Sequence, residues 1–251
     1  MTELVILSII QGIAEFLPVS SSAHLIIVSK YFSFSNANLT LDMSLHLGSL
    51  LAILFYFKED LINFVDNKEL FKKIIITSVP TSIVGIILIK LNYIDFFRSF
   101  KIIGWSTIIF GVILFFSDLR KTNNNILNNF NNKNVLIIGL LQILSLIPGV
   151  SRSGIIITGA RFLNFNRVDA AKLSFLTSIP ILILVSIFNF HKLIVQNNFD
   201  ISLYNIIGVS LSFIFSYITI KFFLNFLKYF SLKFFVLYRI FLGLIILFYV
   251  Y

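Results

Sequence analysis

Runs of close to twenty apolar residues recur along this chain and restrict its fold more than any other feature. Examples are residues 74–89, 102–116, 201–220 and 234–251. A helix of about 20 apolar residues crosses the roughly 30 Å hydrocarbon core of a bilayer. Of the 251 residues, 58% are hydrophobic and 12% are charged, which is more apolar surface than one soluble core of this size hides. The sequence predicts an all-α integral membrane protein, with residues 1–251 forming one membrane domain.

Cysteine content and charge narrow the class further. The chain has no cysteine, which excludes disulfides and thiol chemistry. A net charge of +9 could indicate a nucleic-acid partner, but the basic residues lie mostly in short loops beside apolar segments. That distribution is typical of cytoplasmic membrane loops, so we expect a surrounding bilayer and no nucleic acid. The first residues lack a basic region and a cleavage site, so we expect no cleaved signal.

Two apolar segments, residues 4–29 and 135–163, are each interrupted by proline and small polar residues. The interruptions are Pro18-Val19-Ser20-Ser21-Ser22 and Pro148-Gly149-Val150-Ser151-Arg152-Ser153. Lipid cannot hydrogen-bond the backbone groups that such a break frees, so both segments must be buried in protein or line a wet cavity. Each is either a kinked membrane span or a re-entrant hairpin.

Loop charge distinguishes these alternatives for the second segment. If residues 135–163 form a hairpin, one side of the membrane collects thirteen of the 20 Lys and Arg residues and the other collects five. If the segment crosses fully, the sides hold eight and ten; Arg152 and Arg239 lie inside apolar segments and are left out. The positive-inside rule favours the hairpin. The thirteen are Lys58, Lys68, Lys72, Lys73, Arg120, Lys121, Lys133, Arg161, Arg167, Lys172, Lys221, Lys228 and Lys233.

This topology places the first hairpin on the opposite face, where the loop of residues 30–41 lies. Two broken hairpins that enter from opposite faces predict an inverted-topology repeat with tips near the midplane. We expect about six transmembrane helices plus two hairpins, with half-repeats at residues 1–120 and 134–251. Thr77-Ser78-Val79-Pro80 and Thr177-Ser178-Ile179-Pro180 give weak further support. The Asn-rich stretch between the halves, which includes Asn123 and residues 128–134, is predicted to be a linker.

Glu15 and Gln11 are candidate ligand-binding residues before the first break. An ionised carboxylate inside an apolar segment is costly unless something compensates it, so Glu15 marks a functional site by default. Gln11 lies four residues earlier, on the same face of a helix, so the two side chains can hold one ligand together. The alternative is a polar contact between helices that only stabilises packing.

The serines after Pro18 and the histidine that follows them are candidate catalytic residues. Ser20, Ser21 and Ser22 offer hydroxyls and backbone donors at a helix start, where anions bind. His24 lies four residues after Ser20 and three after Ser21, which predicts an imidazole close to either hydroxyl, as a base activating a nucleophile requires. The alternative is a capping serine cluster beside a buried histidine.

Arg152 is the strongest candidate in the second break. An arginine in the middle of an apolar segment is very costly without an anionic partner. Its planar guanidinium fits two phosphate oxygens at once, and Ser151 and Ser153 flank it. The alternative is an ion pair of Arg152 with Glu15 that joins the hairpins. Either interpretation places the two broken tips against each other.

Three further polar residues are weaker candidates. Asp42 and His46 lie one turn apart near the start of a span and are either neighbours of the site or interfacial caps. Arg239, next to Tyr238, is predicted to form an internal ion pair or to extend toward the membrane surface.

Taken together, the motifs resemble those of the bacitracin-resistance type undecaprenyl-diphosphate phosphatases. The similarity extends in order over nearly the whole chain. The matching stretches are Gln11-Gly12-Ile13-Ala14-Glu15-Phe16-Leu17-Pro18-Val19-Ser20-Ser21-Ser22-Ala23-His24-Leu25, Leu45-His46-Leu47-Gly48-Ser49, Ile147-Pro148-Gly149-Val150-Ser151-Arg152-Ser153-Gly154, Phe175-Leu176-Thr177-Ser178-Ile179-Pro180 and Tyr238-Arg239-Ile240.

The resemblance implies an enzyme that hydrolyses undecaprenyl diphosphate to undecaprenyl phosphate, the lipid carrier of peptidoglycan synthesis. It implies a multi-pass protein of the bacterial inner membrane with a site that faces outward, and a divalent metal, Mg²⁺ or Ca²⁺. It implies catalytic roles for Glu15, Ser21, His24 and Arg152, with metal at Glu15 and Gln11. The residues it implies for substrate binding are Gln11, Ser20, Ser151 and Ser153.

Three positions depart from the family pattern. Ile156 stands where threonine is usual, and Ala23 where glycine is usual. Thr158 could supply the missing hydroxyl, but a shift of two residues along a helix changes its face. Gln11 in place of glutamate brings no charge to a hard cation, which predicts weaker metal binding.

Two function classes fit these residues. As a phosphatase, the chain would bind the diphosphate through Arg152 and the serines, and Ser21 or His24 would attack phosphorus or orient water. As a transporter, it would use the same residues to carry a polyprenyl-phosphate lipid, since broken helices at the midplane are typical of secondary transporters. A hydroxyl and a histidine beside a phosphate site favour the phosphatase.

Overall fold

A computed structural model describes residues 1–32, 39–66, 68–91, 93, 95–120, 124–195 and 203–251, with backbone only at 39, 63–66, 95 and 193. Residues 33–38 of the predicted outer loop, Lys121, Asn123 and Ile201 lie outside the described residues. The described chain is helical, with two short 3₁₀ turns and one β-bridge between Asn124 and Phe165. Its α-helices are α1 Thr2–Ala14, α2 Ser21–Tyr31, α3 Leu39–Tyr56, α4 Lys58–Asp66, α5 Lys68–Lys90, α6 Phe100–Asp118, α7 Ile126–Asn129, α8 Asn132–Ile143, α9 Arg152–Phe162, α10 Arg167–Val195, α11 Leu203–Tyr229 and α12 Lys233–Phe248.

Four of these helices are long and apolar enough to cross a membrane. They are α5, α6, α11 and the part of α10 from Arg167 to Lys192. The shorter apolar helices include α1, α3 and α8. The all-α prediction is therefore confirmed, and the protein is embedded in a membrane.

Both interrupted segments fold back on themselves. Leu25 and Val28 of α2 pack on the cluster that contains Leu4 and Leu7 of α1, so α2 returns along α1. After α9 the chain returns to the residues that precede α8, where Asn124 N donates to Asn164 O at 3.0 Å. Each break is therefore the tip of a helical hairpin.

Residues 124–134 of the Asn-rich stretch are more ordered than the predicted linker. Asn125 and Asn131 cap α7 and α8, because each side-chain oxygen accepts a hydrogen bond from the backbone N–H of the residue three positions later. Asn124 bridges to the chain after α9. Asparagine is favoured at helix starts for this reason, which compositional bias alone did not indicate.

Arg161 was predicted to be a loop charge, and the structure buries it at the base of the second hairpin. Its guanidinium donates to Phe165 O at 2.8 Å and to Asp118 O at 3.2 Å, and its Nε lies 3.5 Å from Asp118 Oδ1. Arg167 binds the same carboxylate through Nε and Nη2 at 2.7 and 3.1 Å. One acidic residue at the end of α6 therefore fixes both basic residues and the hairpin base.

Close helix packing holds the hairpins among the longer helices. Hairpin helix α1 packs on α11, α8 packs on α5, α3 packs on α10 and α11, and α6 packs on α12. At Gly12 a Cβ atom would lie 2.5 Å from Phe215 Cβ, and at Gly48 it would lie 2.4 Å from Val209 O. Small residues permit this approach, which drives helix association in lipid through close contact.

Candidate active site

Ser20 and Ser151 form matching bends at the two hairpin tips. Their φ angles are 74° and 69°, in a region that L residues other than glycine rarely adopt. Each is the N-cap of an eleven-residue helix, α2 or α9. Such strained positions persist only where surrounding contacts fix them, and they are common at functional sites.

The two tips lie against each other in the interior of the protein. Gly149 N donates to Ser20 Oγ at 3.1 Å, and Ser153 Oγ donates to Leu17 O at 2.7 Å. Arg152 Nη2 donates to Glu15 Oε1 in a salt bridge. The direct ion pair, one of the two alternatives for Arg152, is therefore the arrangement that the structure shows.

Glu15 is the centre of the cluster. It lies just after α1 with 8% of its surface exposed, and its Oε2 accepts hydrogen bonds from Ser21 Oγ at 2.6 Å and Gln11 Nε2 at 3.1 Å. With Arg152 on Oε1, both carboxylate oxygens are engaged. A buried carboxylate is stabilised by such charge-assisted hydrogen bonds.

His24 lies apart from the hydroxyls that it was predicted to activate. Its Nδ1 lies 2.7 Å from Ser20 O, and its Nε2 lies 2.5 Å from Tyr238 OH, with the two rings stacked. A carbonyl only accepts, so Nδ1 carries the proton and Nε2 accepts from Tyr238. The predicted contact of His24 with Ser21 is wrong here, because Ser21 donates instead to the charged oxygen of Glu15, a stronger acceptor.

The other serines of the two motifs hold the breaks together. Ser20 Oγ lies 3.3 Å from Ser22 Oγ, in addition to its bond from Gly149 N. Ser151 Oγ accepts from Gly154 N at 3.1 Å and lies 3.0 Å from Ser153 Oγ. All of these except Ser22 are buried.

Gln11 connects the cluster to His46, one of the weaker candidates in the sequence. Gln11 is fully buried, and its Nε2 also donates to His46 Nδ1 at 3.1 Å. Asp42 Oδ1 lies 3.9 Å from His46 Nε2. Gln11 Oε1 is buried with no hydrogen-bond partner.

The donors present fit a hard divalent cation. Within the described ranges no three His, Asp or Glu side chains are grouped as a metal site. The unpartnered Gln11 Oε1 and the neighbouring Glu15 carboxylate nevertheless supply the oxygen atoms that Mg²⁺ and Ca²⁺ prefer. The remaining ligands of Mg²⁺ are commonly water and substrate phosphates.

Arg239 of α12 contacts both tips, which is not the environment predicted from the sequence. It is fully buried and donates to Pro18 O at 3.4 Å, to Gly149 O at 2.8 Å and to Val150 O at 3.0 Å. In the described part of the chain no carboxylate pairs with it, so the predicted ion pair or surface position is wrong. At the two helix breaks these carbonyls have no hydrogen-bond donor from their own helix. The Arg239 guanidinium supplies donors to them.

Two of the three departures from the family pattern, Ile156 and Ala23, lie away from the polar cluster. Ile156 is fully buried in the main apolar core, and Ala23 is fully buried beside Ile103. Thr158 Oγ1 donates to Gly154 O at 2.7 Å within α9. Thr158 therefore satisfies its own helix and does not replace the missing hydroxyl.

The fold and the site define a helical membrane protein whose polar centre is a buried arginine–carboxylate pair between two hairpin tips. The chain belongs to the bacitracin resistance protein BacA family, whose model matches residues 4–245. It is 47% identical over 250 residues to the undecaprenyl-diphosphatase of Pelagibacter ubique, covering 99% of this chain and 97% of that protein. Proteins of the same name from Saccharophagus degradans and Campylobacter concisus are each 39% identical, covering 95% and 98% of this chain and 94% and 98% of their own.

Proposed function

We propose that this protein hydrolyses undecaprenyl diphosphate to undecaprenyl phosphate and inorganic phosphate in the bacterial inner membrane. This reaction recycles the lipid carrier for peptidoglycan synthesis and confers bacitracin resistance. The observation that carries the proposal is the contact of Glu15 with both Ser21 and Arg152. It brings the Ser21 hydroxyl, the Glu15 carboxylate and the Arg152 guanidinium together, which supports their roles as nucleophile, proton acceptor and phosphate-binding cation.

Substrate binding begins with Arg152. A diphosphate is a better partner for the guanidinium than one carboxylate, since it offers several charged oxygens to the planar donor. When Arg152 turns to the diphosphate, Glu15 loses its cation and becomes a stronger proton acceptor. The backbone N–H groups at the starts of α2 and α9 add further donors for the phosphates.

Catalysis then proceeds at Ser21. Glu15 Oε2 takes the hydroxyl proton while Ser21 Oγ attacks the terminal phosphorus, and the bond to the bridging oxygen breaks to release undecaprenyl phosphate. Water hydrolyses the phosphoserine to inorganic phosphate and regenerates the serine. His24 Nε2 is the alternative nucleophile, and it must first exchange its hydrogen bond with Tyr238.

A divalent metal, Mg²⁺ or Ca²⁺, belongs to the proposal. Gln11 Oε1 and Glu15 would hold it. When bound, it would neutralise negative charge on the diphosphate. Gln11 Nε2 already orients the Glu15 carboxylate and His46, so this side chain positions the acid whether or not it binds the cation.

The topology that we propose has six membrane spans and two re-entrant hairpins in an inverted repeat, with half-repeats at residues 1–120 and 134–251. Three correspondences support it. Ser20 and Ser151 are separated by 131 residues and share one bend, and Gln11 and Gln142 have the same separation. Each hairpin also packs on a helix of the other half: α1 of the first half contacts α11 of the second, and α8 of the second half contacts α5 of the first.

The Thr-Ser-x-Pro similarity does not follow this correspondence. Ser78 Oγ donates to Thr177 O at 3.0 Å, so the two sequences contact each other. They lie on α5 and α10. In the proposed repeat, however, the helix equivalent to α5 is α11, because each of these two packs on a hairpin helix of the other half. We propose that the site opens to the outer face, as membership of this family implies.

A lipid transporter is the second candidate, favoured by the meeting of two broken helices. Phosphate release from undecaprenyl diphosphate by the purified protein in detergent separates the classes, since detergent abolishes transport. We expect release that a chelator stops and that Arg152→Ala removes. Absence of release by a folded, lipid-binding protein would favour the transporter.

A further inference from the structure

A cavity of about 410 Å³ lies between α5 and α8, lined by none of the residues proposed for catalysis. We call it the α5–α8 groove. Its lining residues are Glu69, Lys72, Lys73, Ile76, Pro80, Asn132, Val135 and Leu136.

Polarity changes along the length of the α5–α8 groove. Glu69, Lys72 and Lys73 lie near the beginning of α5, and Asn132 begins α8. The apolar lining residues follow on both helices in the same direction, and Lys72 and Pro80 are separated by about 12 Å of helix. The groove is therefore polar at the helix starts and apolar toward the middle of the helices.

Charge favours an anion at the polar end. Lys73 Nζ pairs with Glu69 Oε1 at 2.6 Å, which neutralises one lysine. Lys72 is exposed, and within the described ranges no carboxylate pairs with it. The lining thus has one uncompensated positive charge, and Lys68 and Lys133 lie next to lining residues in the sequence.

We propose that the α5–α8 groove binds an anionic phospholipid of the surrounding leaflet. Its phosphate would contact Lys72 and the Asn132 amide, and an acyl chain would lie along Ile76, Pro80 and Leu136. A soluble anion would occupy only the polar end of the groove, whereas a phospholipid fills both the polar end and the apolar end. Basic pockets between membrane helices on the cytoplasmic side recognise anionic lipid headgroups in this manner.

Native mass spectrometry of the purified full chain tests the proposal. The protein in detergent receives equal amounts of phosphatidylglycerol and phosphatidylethanolamine with identical acyl chains. We expect one retained lipid, with phosphatidylglycerol preferred, and Lys72→Gln should weaken that binding by about fivefold. Lys228→Gln, an equal charge change on exposed α11 surface away from the groove, should leave it unchanged.

A second variant separates shape from charge. Leu136→Trp fills the groove from an exposed position and keeps every charge, so both lipids should be lost while the melting temperature holds. Equal retention of the two lipids by the unmodified protein, or an equal effect of Lys72→Gln and Lys228→Gln, would overturn the proposal. Displacement of phosphatidylglycerol by inorganic phosphate or by undecaprenyl phosphate would also overturn it, because the occupant would then be a different one.

Discussion

Ser21 donates its hydroxyl hydrogen bond to Glu15 Oε2, at 2.6 Å, from the first turn of α2 across the break that separates it from α1. This contact makes Glu15 the nearest proton acceptor for the proposed nucleophile. His24 lies on the same helix as Ser21, yet both of its ring nitrogens have other partners. In the proposed mechanism Glu15 therefore has two tasks: it holds Arg152 before substrate arrives, and it accepts the Ser21 proton afterwards.

Replacing Ser21 tests the nucleophile. Ser21→Ala should lower phosphate release by at least about 100-fold, because no phosphoserine can form. Ser22→Ala is the matched control, since Ser22 is exposed and its hydroxyl contacts Ser20. The Ser22 variant should keep most activity. Release by Ser21→Ala at the unmodified rate would exclude this serine, and an acid-labile phosphohistidine would identify His24.

Removing one or both members of the buried Glu15–Arg152 pair should separate stability from activity. Glu15→Gln or Arg152→Gln alone should destabilise the fold by about 3–5 kcal/mol, because each leaves an uncompensated buried charge. The double variant should recover most of that stability and remain inactive. Thermal unfolding in detergent and phosphate release measure the two effects separately. A double variant as unstable as the singles would show that the pair is not coupled.

Tyr238→Phe tests whether the hydroxyl on His24 matters for the reaction. The phenyl ring keeps the stacking contact and removes the donor to Nε2. With Ser21 as the nucleophile we expect kcat and KM to change by less than about twofold, whereas attack by His24 predicts a higher kcat, because Nε2 no longer has to exchange its hydrogen bond with Tyr238. Tyr249→Phe, an exposed tyrosine just after the same helix, serves as the control. An unchanged kcat in Tyr238→Phe would limit this contact to packing.

The metal dependence of phosphate release should change with the charge of the side chain at position 11. Gln11→Glu adds a carboxylate at the position whose oxygen has no partner, so the Mg²⁺ or Ca²⁺ concentration for half-maximal activity should fall severalfold. Gln11→Leu should raise it. Titration of chelator-treated enzyme with each ion measures both shifts. Identical titration curves for the three proteins would place the metal elsewhere.

Cysteine labelling tests the second hairpin in the membrane. The chain has no cysteine, so single variants need no altered background. Lys133→Cys and Phe162→Cys, both exposed, should react with an impermeant reagent from the cytoplasmic side, and Lys90→Cys from the outer side. Reaction of the first two from opposite sides would show that residues 135–163 cross the bilayer.

The sequence was sufficient to predict the two breaks and their meeting, because each proline with small polar residues interrupts an apolar run that lipid cannot accommodate. It was also sufficient to predict that Glu15 and Arg152 have charged or polar partners where the breaks meet, because an unpaired charge is too costly in lipid. Helical spacing correctly placed Ser21 and His24 on one helix, but it did not predict the partner of Ser21, because the non-helical turn between α1 and α2 brings Glu15 to its hydroxyl.

Nothing near His24 or Pro18 in the sequence indicates that their partners lie on α12. Tyr238 lies 214 residues after His24, and Arg239 lies 221 residues after Pro18. Spacing rules apply within one helix, so neither contact follows from the chain order. Arg161 shows the same limit, since its buried partner Asp118 ends α6, three helices before α9.

The position of Arg239 has a consequence for biogenesis. Membrane helices are inserted in the order in which the ribosome makes them, and α12 comes after both hairpins. Until α12 joins the bundle, the carbonyls of Pro18, Gly149 and Val150 lack the donor that satisfies them in the finished protein. A nascent chain therefore has both hairpin tips, with Glu15, Ser21 and Arg152, before it has the arginine that holds the tips together.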